Sequence, residues 1–351
     1  MVAGEPLSLP GRLLYRALIP LGWLYGLVGL VRCAFYRWSI LPSYRAAVPV
    51  IAVGNLTAGG TGKTPVVDHL VRALLARGMK VAVVSRGYGG RNVGELLVVS
   101  EGRGPRVEAA DCGDEPFLLA RRNPSAVVIA SPERGRGVAQ AVERFGAQVV
   151  VLDDAYQHLA VHRDLNLLLL DAKRPLGNGQ VLPAGSLREF PRAMHRADLV
   201  LYTRCRTQKD VAARLPVAKP VIRCRHRLSP LWSDLDGRAV EIGRLKSLRG
   251  FAFAGIAHPG QFFAQLSELG AELQGSMGLG DHCDYGPADI LGINEAAAAA
   301  DYLVTTEKDG VKLRSCDFSK PCYQVPLELE FLDGKGLDEI LSSRIYPEVR
   351  A

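Results

Sequence analysis

The sequence predicts an α/β fold: a mostly parallel sheet with helices on both faces around a glycine-rich turn, followed by a smaller C-terminal α/β lobe. Three observations predict it. Short continuous apolar runs alternate with helical periodicity from residue 48 to about 203, a glycine-rich turn joins the first run to the first helix, and the texture changes after 203. Strands that are apolar throughout are buried on both faces, and crossover helices join such strands.

In chain order, strands are expected at 48–54, 81–85, 96–99, 126–130, 149–153, 165–171 and 199–202, with helices at 64–77, 114–121, 134–145 and 187–195. Residues 206–219 read as a polar connector. Beyond it, 220–227 and 238–242 suggest antiparallel strands, and 248–254, 272–275, 302–305 and 322–325 further strands, with helices near 260–269 and 290–300. The expected partition is 1–45 as a membrane-associating segment, 46–205 as a nucleotide-binding and catalytic domain, and 206–351 as the smaller lobe.

Composition sets limits. With 351 residues, 48% hydrophobic and 23% charged, the chain is globular, not disordered. The 43 Lys and Arg against 36 Asp and Glu leave +7, which suits anionic partners and ordinary solubility equally. Seven cysteines, with no C-x-x-C pair, indicate reduced thiols and neither a disulfide framework nor a zinc site. Basic residues are dispersed and not interleaved with aromatics, so nucleic acid ranks last among partners.

Residues 17–31 carry no charge, lie between Arg12 and Arg16 on one side and Arg32 and Arg37 on the other, and are flanked or punctuated by Trp23, Tyr25, Tyr36 and Trp38. The stretch is shorter than the ~20 apolar residues of a spanning helix and contains Pro20, Gly22, Gly26 and Gly29. It therefore reads as an interfacial anchor on a membrane surface, with a cleaved signal peptide, for which no small-residue cleavage site follows, and a helix packed on the protein's own core as the alternatives.

The glycine-rich turn is Val53-Gly54-Asn55-Leu56-Thr57-Ala58-Gly59-Gly60-Thr61-Gly62-Lys63-Thr64-Pro65. Residues Thr57 to Thr64 make a phosphate cradle: glycines let backbone N–H groups approach an anion, Lys63 supplies positive charge, and Thr64 offers a hydroxyl to Mg²⁺. Thr57 stands where the strict phosphate-loop pattern has glycine, but the apolar strand before the turn and the amphipathic helix after it favour a nucleoside triphosphate over a plain turn.

Asp153 and Asp154 end a strand, where carboxylates hold Mg²⁺ or cap a turn; Gln157 and His158 follow at once. Asp114 and Glu115 open a helix, a place equally suited to a cap and to a base that accepts a hydroxyl proton. His282 lies among Asp281, Asp284 and Tyr285 and weighs equally as a structural and a cleft histidine. Arg188, entering a predicted helix beside Glu189, is placed for a phosphate or for a surface ion pair, and Arg86 and Tyr88 open a loop at a strand end.

Taken together, V-G-N-L-T-A-G-G-T-G-K-T-P at 53–65, S-R-G-Y at 85–88, G-D-E-P at 113–116, D-D-A-Y-Q-H at 153–158, L-P-A-G-S-L-R-E at 182–189, D-H at 281–282 and T-T-E-K-D at 305–309 resemble the tetraacyldisaccharide 4′-kinase family over nearly the whole chain. The resemblance implies a P-loop NTPase-like fold with ATP and Mg²⁺ as cofactors, and transfer of phosphate to the 4′-hydroxyl of an acylated glucosamine disaccharide 1-phosphate. It implies nucleotide and metal roles for Lys63, Thr64, Asp153 and Asp154, a proton-accepting role for Asp114 with His282 as its partner, and active-site positions for Tyr88, Glu115, Arg134, Gln157, His158, Arg188 and Glu189. It also implies a membrane-associated N-terminal segment at the cytoplasmic face of the inner membrane.

This chain departs from the family in one motif: Ala155 and Tyr156 stand where the family reads Gly-Phe, and an alanine in a turn built for a positive φ would be strained. The competing reading is a membrane-bound switch or partition ATPase. Its deviant phosphate loop carries a lysine where this chain has Ala58, and no N-K-x-D motif for guanine is present.

Overall fold

In the computed structural model, residues 9–91, 94–207, 219–245, 247–333 and 336–345 are described. Most of the expected polar connector at 206–219 lies outside them. The elements are α1 (Leu9–Arg37), β1 (Val50–Asn55), α2 (Lys63–Leu75), β2 (Val81–Ser85), β3 (Leu97–Glu101), α3 (Ala109–Cys112), α4 (Asp114–Arg122), β4 (Val127–Ala130), α5 (Arg134–Glu143), β5 (Val149–Leu152), β6 (Leu165–Asp171), β7 (Leu199–Thr203) and β8 (Val221–Leu228). There follow β9 (Leu231–Asp234), β10 (Ala239–Glu241), β11 (Arg249–Ala254), α6 (Pro259–Glu268), β12 (Glu272–Gly278), α7 (Pro287–Ala296), β13 (Tyr302–Thr306), α8 (Glu307–Gly310), β14 (Cys322–Val325), β15 (Leu327–Phe331) and α9 (Gly336–Arg344).

The chain forms two compact units that interleave along the sequence, one from 1–63, 148–225 and 331–351, the other from 64–147 and 226–330. In the first, β8, β7, β6, β1 and β5 lie side by side in that order, all parallel. Every residue of β1, β5 and β7 is buried, as expected for strands covered on both faces. Leu168, Leu170, Val200 and Tyr202 join Leu56, Tyr156, Leu187 and Met194 in one apolar cluster of this unit.

In the second unit β2 pairs with β4 in parallel and β3 closes antiparallel on β4. Its other sheet has the order β10-β9-β14-β13-β11-β12, parallel through β14, β13, β11 and β12 and antiparallel at β9 and β10. Alternate residues of β11 face opposite ways: Ala252 and Ala254 pack with Phe262 and Leu266 of α6, while Phe251 and Phe253 pack with Ile293 of α7. This sheet carries a helix on each face; β8, expected as an antiparallel strand of the smaller lobe, instead pairs in parallel with β7 in the first unit, and residues 64–147 group with 226–330.

Helix α1 outruns the uncharged stretch. Its segment Tyr15–Arg37 is 23 residues long and contains an 18-residue window of mean hydropathy 1.6, so by length and composition the helix is not too short to cross a membrane. One face carries Gly22, Gly26 and Cys33 toward residues 181–190: a Cβ added at Gly22 would come within 3.0 Å of the Val181 carbonyl, and one at Gly26 within 2.4 Å of the Phe190 ring. Elsewhere on the helix large apolar side chains are exposed, with Trp23 and Leu24 each 60% accessible and Val28 61%.

The helix expected at 187–195 does not form. Leu187 pairs with Thr57 as an isolated bridge, and Arg188 gives its N–H to the Leu56 carbonyl at 2.7 Å. Pro191 disfavours helical backbone at the residue before it, so only a 3₁₀ turn at Pro191–Arg196 remains.

Candidate active site

Two clusters carry the predicted side chains, one in each compact unit. The first is built on the ends of β1, β5 and β7. Buried β1 ends at Asn55, and the chain turns through Gly59 (φ 104°) and Gly62 (φ 81°) before α2 begins at Lys63. Left-handed backbone favours glycine at both positions. Nothing lies within 4 Å of a Cβ built at Gly59, which leaves the loop open to an approaching group.

Asn55 ties the loop together, and sequence reasoning gave it no role. Its side-chain amide donates to the Thr57 carbonyl at 2.8 Å, and its Oδ1 accepts from Lys63 Nζ at 3.4 Å. The signal was a buried amide at the end of an apolar strand. Arg204, also missed, donates to the Gly60 carbonyl and to Asp171, both at 2.7 Å, while Thr203 Oγ1 donates to the Thr61 carbonyl at 2.8 Å. The Ala58 N–H meets the Ser186 carbonyl at 2.6 Å, so the 182–189 segment straps the loop from the other side.

Asp153 is buried, and Asp154 follows in left-handed backbone at φ 48°. Lys63 Nζ lies 3.6 Å from Asp154 Oδ1, and Arg188 Nη1 lies 3.0 Å from the same oxygen. The positive φ falls on Asp154 and not on Ala155. Ala155 is fully buried and donates its N–H to the Val53 carbonyl at 2.9 Å, so alanine in place of the family's glycine brings no left-handed strain there. The additional hydroxyl of Tyr156 is satisfied by the Ala193 carbonyl at 2.7 Å.

Gln157 donates to the Asn55 carbonyl at 2.8 Å, and His158 is half-buried with its N–H on the Ala155 carbonyl. Glu189 takes both guanidinium nitrogens of Arg196, at 2.7 and 2.9 Å. Burial works against the charge on Arg196, but the hydrogen bond and charge of Glu189 outweigh it and hold the guanidinium above its ordinary pKa. Arg196 also stacks over the Tyr156 ring, 5.0 Å from its centroid.

The second cluster gathers on the first turn of α4 and on α8. Gly113 (φ 91°) precedes Asp114, and a Cβ there would sit 2.3 Å from the Tyr88 carbonyl. Gly113 is the N-cap of α4, which leaves Asp114 inside its first turn; the Asp114 carboxylate meets Lys312 Nζ at 3.1 Å and His282 Nδ1 at 3.5 Å. Glu115 pairs with Lys308 at 3.4 Å. Tyr88, 74% exposed, sets its ring edge-on to His282 with centroids 6.1 Å apart. Arg134 is buried at the start of α5 and donates to the Ser131 carbonyl at 2.7 Å. Asp281 is exposed. Lys308 and Lys312 drew no attention as chemistry-bearing residues, because nothing in the spacing of T-T-E-K-D shows that a short helix and the turn after it will carry their ammonium groups back to α4.

The profile of the family described as Tetraacyldisaccharide-1-P 4′-kinase matches residues 14–346. The chain belongs to the tetraacyldisaccharide-1-phosphate 4′-kinase family. A relative from Syntrophotalea carbinolica, named tetraacyldisaccharide 4′-kinase, is 51% identical over 94% of this chain and 92% of its own length. One of the same name from Geobacter sulfurreducens is 44% identical over 97% of this chain and 96% of its own. A crystal structure of the family member from Aquifex aeolicus, determined in complex with ATP, superposes with a TM-score of 0.79 at 31% identity, covering 95% of this chain and 100% of that one. Membership in this kinase family displaces the reading of the loop as that of a membrane-bound switch or partition ATPase.

Proposed function

We propose that this chain transfers the γ-phosphate of ATP to the 4′-hydroxyl of a tetraacylated glucosamine disaccharide 1-phosphate, a step of lipid A biosynthesis. The observation that carries the reading is the open loop with left-handed Gly59 and Gly62 and with Lys63 tethered by Asn55, in a chain that belongs to this kinase family. Backbone N–H groups of Gly59 to Gly62 and the Lys63 ammonium bind the β- and γ-phosphates, while the Ala58 N–H, expected from the sequence to join them, is already given to the Ser186 carbonyl.

Asp153, Asp154 and Thr64 are the residues we assign to Mg²⁺. Two carboxylates and a hydroxyl are hard oxygen donors of the kind Mg²⁺ takes, and phosphate oxygens and water would complete its shell. Bound there, the ion neutralises the charge on the phosphates.

Asp114, oriented by Lys312 and His282, accepts the proton of the attacking hydroxyl. No covalent intermediate is needed. Arg188 is the side chain we assign to substrate or phosphate charge, and Tyr88 is assigned to the substrate. Arg134, Gln157 and Glu189, each bonded to a protein partner, Ser131, Asn55 and Arg196 in turn, serve by holding their loops in place, and Glu115 holds Lys308.

The test is ATP-dependent phosphorylation of purified tetraacyldisaccharide 1-phosphate by the wild type, Lys63→Ala and Asp114→Ala. The base role predicts a loss of about 10²- to 10⁴-fold in kcat for Asp114→Ala. No product from the wild type refutes the activity, and unimpaired turnover by Asp114→Ala removes the base.

We further infer that α1 holds the enzyme at the cytoplasmic face of the inner membrane, its exposed Trp23, Leu24 and Val28 in lipid. The double substitution Leu24→Glu and Val28→Glu should abolish flotation with anionic liposomes. Undiminished flotation refutes the inference.

A further inference from the structure

The T-T-E-K-D turn is built into the fold more firmly than a surface turn needs to be. Thr306 caps α8 by accepting the Asp309 N–H, and its hydroxyl returns to Asp309 Oδ2 at 2.7 Å. Asp309 is fully buried and also accepts the Gly255 N–H at 3.1 Å. Gly255 in turn offers its carbonyl to the His282 N–H at 3.1 Å, so one buried carboxylate fixes both the turn that carries Lys308 and Lys312 and the backbone of His282. His282 holds left-handed backbone at φ 59°, which only a surrounding framework of this kind maintains.

That framework places Lys308 Nζ 3.4 Å from His282 Nε2 and 3.4 Å from Glu115 Oε1. An ammonium group has three donors and no acceptor, so the imidazole nitrogen facing it must present its lone pair. The single proton of the neutral ring is then on Nδ1, the nitrogen that lies 3.5 Å from Asp114 Oδ2. With the proton there, His282 donates to the carboxylate; with the proton on Nε2, two lone pairs would face one another across that contact and two donors would face one another at Lys308.

We propose that Lys308 is a positioning residue that fixes the Nδ1–H tautomer of His282 and thereby aims the Asp114 carboxylate. The consequence for turnover rests on the proposed kinase reading, in which Asp114 is the base; the tautomer itself does not. Lys312, 3.1 Å from Asp114, fixes the other side of that carboxylate, and Glu115 keeps Lys308 in place.

The experiment is imidazole ¹⁵N NMR of the full-length chain labelled at histidine, recorded at about pH 8.5, well above the ordinary imidazole range. The His282 signal is assigned by its loss in His282→Gln. The wild type should show Nδ1–H, and Lys308→Met should show a new Nε2–H population. By the precedent of outer-shell partners that orient histidine ligands, Lys308→Met should lose about 10- to 100-fold in kcat, with the KM for ATP unchanged. Lys308→Arg, which keeps a donor-only cation, should restore both tautomer and rate. A wild-type ring in the Nε2–H form overturns the proposal, as does a Lys308→Met spectrum identical to wild type. If the tautomer responds as stated and no disaccharide is phosphorylated, the proposal stands and the kinase reading falls.

Discussion

Arg188 Nη1 lies 3.0 Å from Oδ1 and 3.1 Å from Oδ2 of Asp154, while Lys63 Nζ reaches the same Oδ1 at 3.6 Å. One carboxylate is thus shared by the lysine of the phosphate loop and the arginine of the strap that crosses it. Removing Arg188 leaves Asp154 to pull on Lys63 alone and draws the ammonium from the phosphates. A hydrogen bond to a charged group contributes about 1.5–3 kcal/mol when shielded, and partial exposure on both sides brings this toward about 1 kcal/mol. Arg188→Met should therefore weaken Mg²⁺-ATP binding roughly five-fold, measured by calorimetry on the full chain. An unchanged Kd would show that the pair does not couple to the nucleotide.

Asp309 supplies a prediction in pH. Burial raises its pKa above the ordinary carboxylate value of 3.8, although Thr306, Lys312 and the Gly255 N–H pull the other way. The unfolded chain gives up this proton at a lower pH than the folded one. The contribution of Asp309 to stability is therefore greatest below 3.8 and declines as pH rises through the interval up to the folded value. Asparagine imitates the protonated acid, with one donor group and one acceptor. Asp309→Asn should lie closest to wild type, or below it, in acid, and gain relative to it as pH rises. Thermal denaturation of both proteins across pH 4 to 8 checks this; a gap between them that stays constant with pH contradicts it.

The parallel strands were legible because each is apolar throughout, and β1, β2, β5, β6 and β7 fall within two residues of their expected bounds. Less legible were β9 and β15, whose runs Leu231–Asp234 and Leu327–Phe331 mix polar and apolar residues. The phosphate loop was legible because its glycines and lysine are contiguous. Asn55 was not, since a lone amide announces nothing until its partners at Thr57 and Lys63 are seen. For the same reason the residues alone showed only the Asp114 carboxylate; the family resemblance added His282 but not Lys312, and both partners come from more than 160 residues further along the chain. Glu189 reads as an active-site carboxylate in L-P-A-G-S-L-R-E, yet its oxygens meet Arg196, a pairing that depends on the 3₁₀ turn replacing the expected helix.

The docking of α1 can be tested with two of its own glycines. A Cβ at Gly26 would stand 2.4 Å from the Phe190 ring, which is itself packed on the cluster containing Tyr156 and Met194, so the ring has little room to give. At Gly29 the nearest atom is Glu189 Cγ at 4.0 Å, an ordinary contact. Alanine gains about 0.8–1 kcal/mol over glycine in a helix interior, and this gain applies at both positions. At Gly26 it is opposed by overpacking, which costs about 1–3 kcal/mol. The two substitutions should therefore differ in sign: Gly29→Ala raises the thermal midpoint of the detergent-solubilised chain and Gly26→Ala lowers it. Phe190→Leu, which withdraws the ring edge, should recover much of the loss in the Gly26→Ala background. If both alanines stabilise equally, α1 does not rest on Phe190.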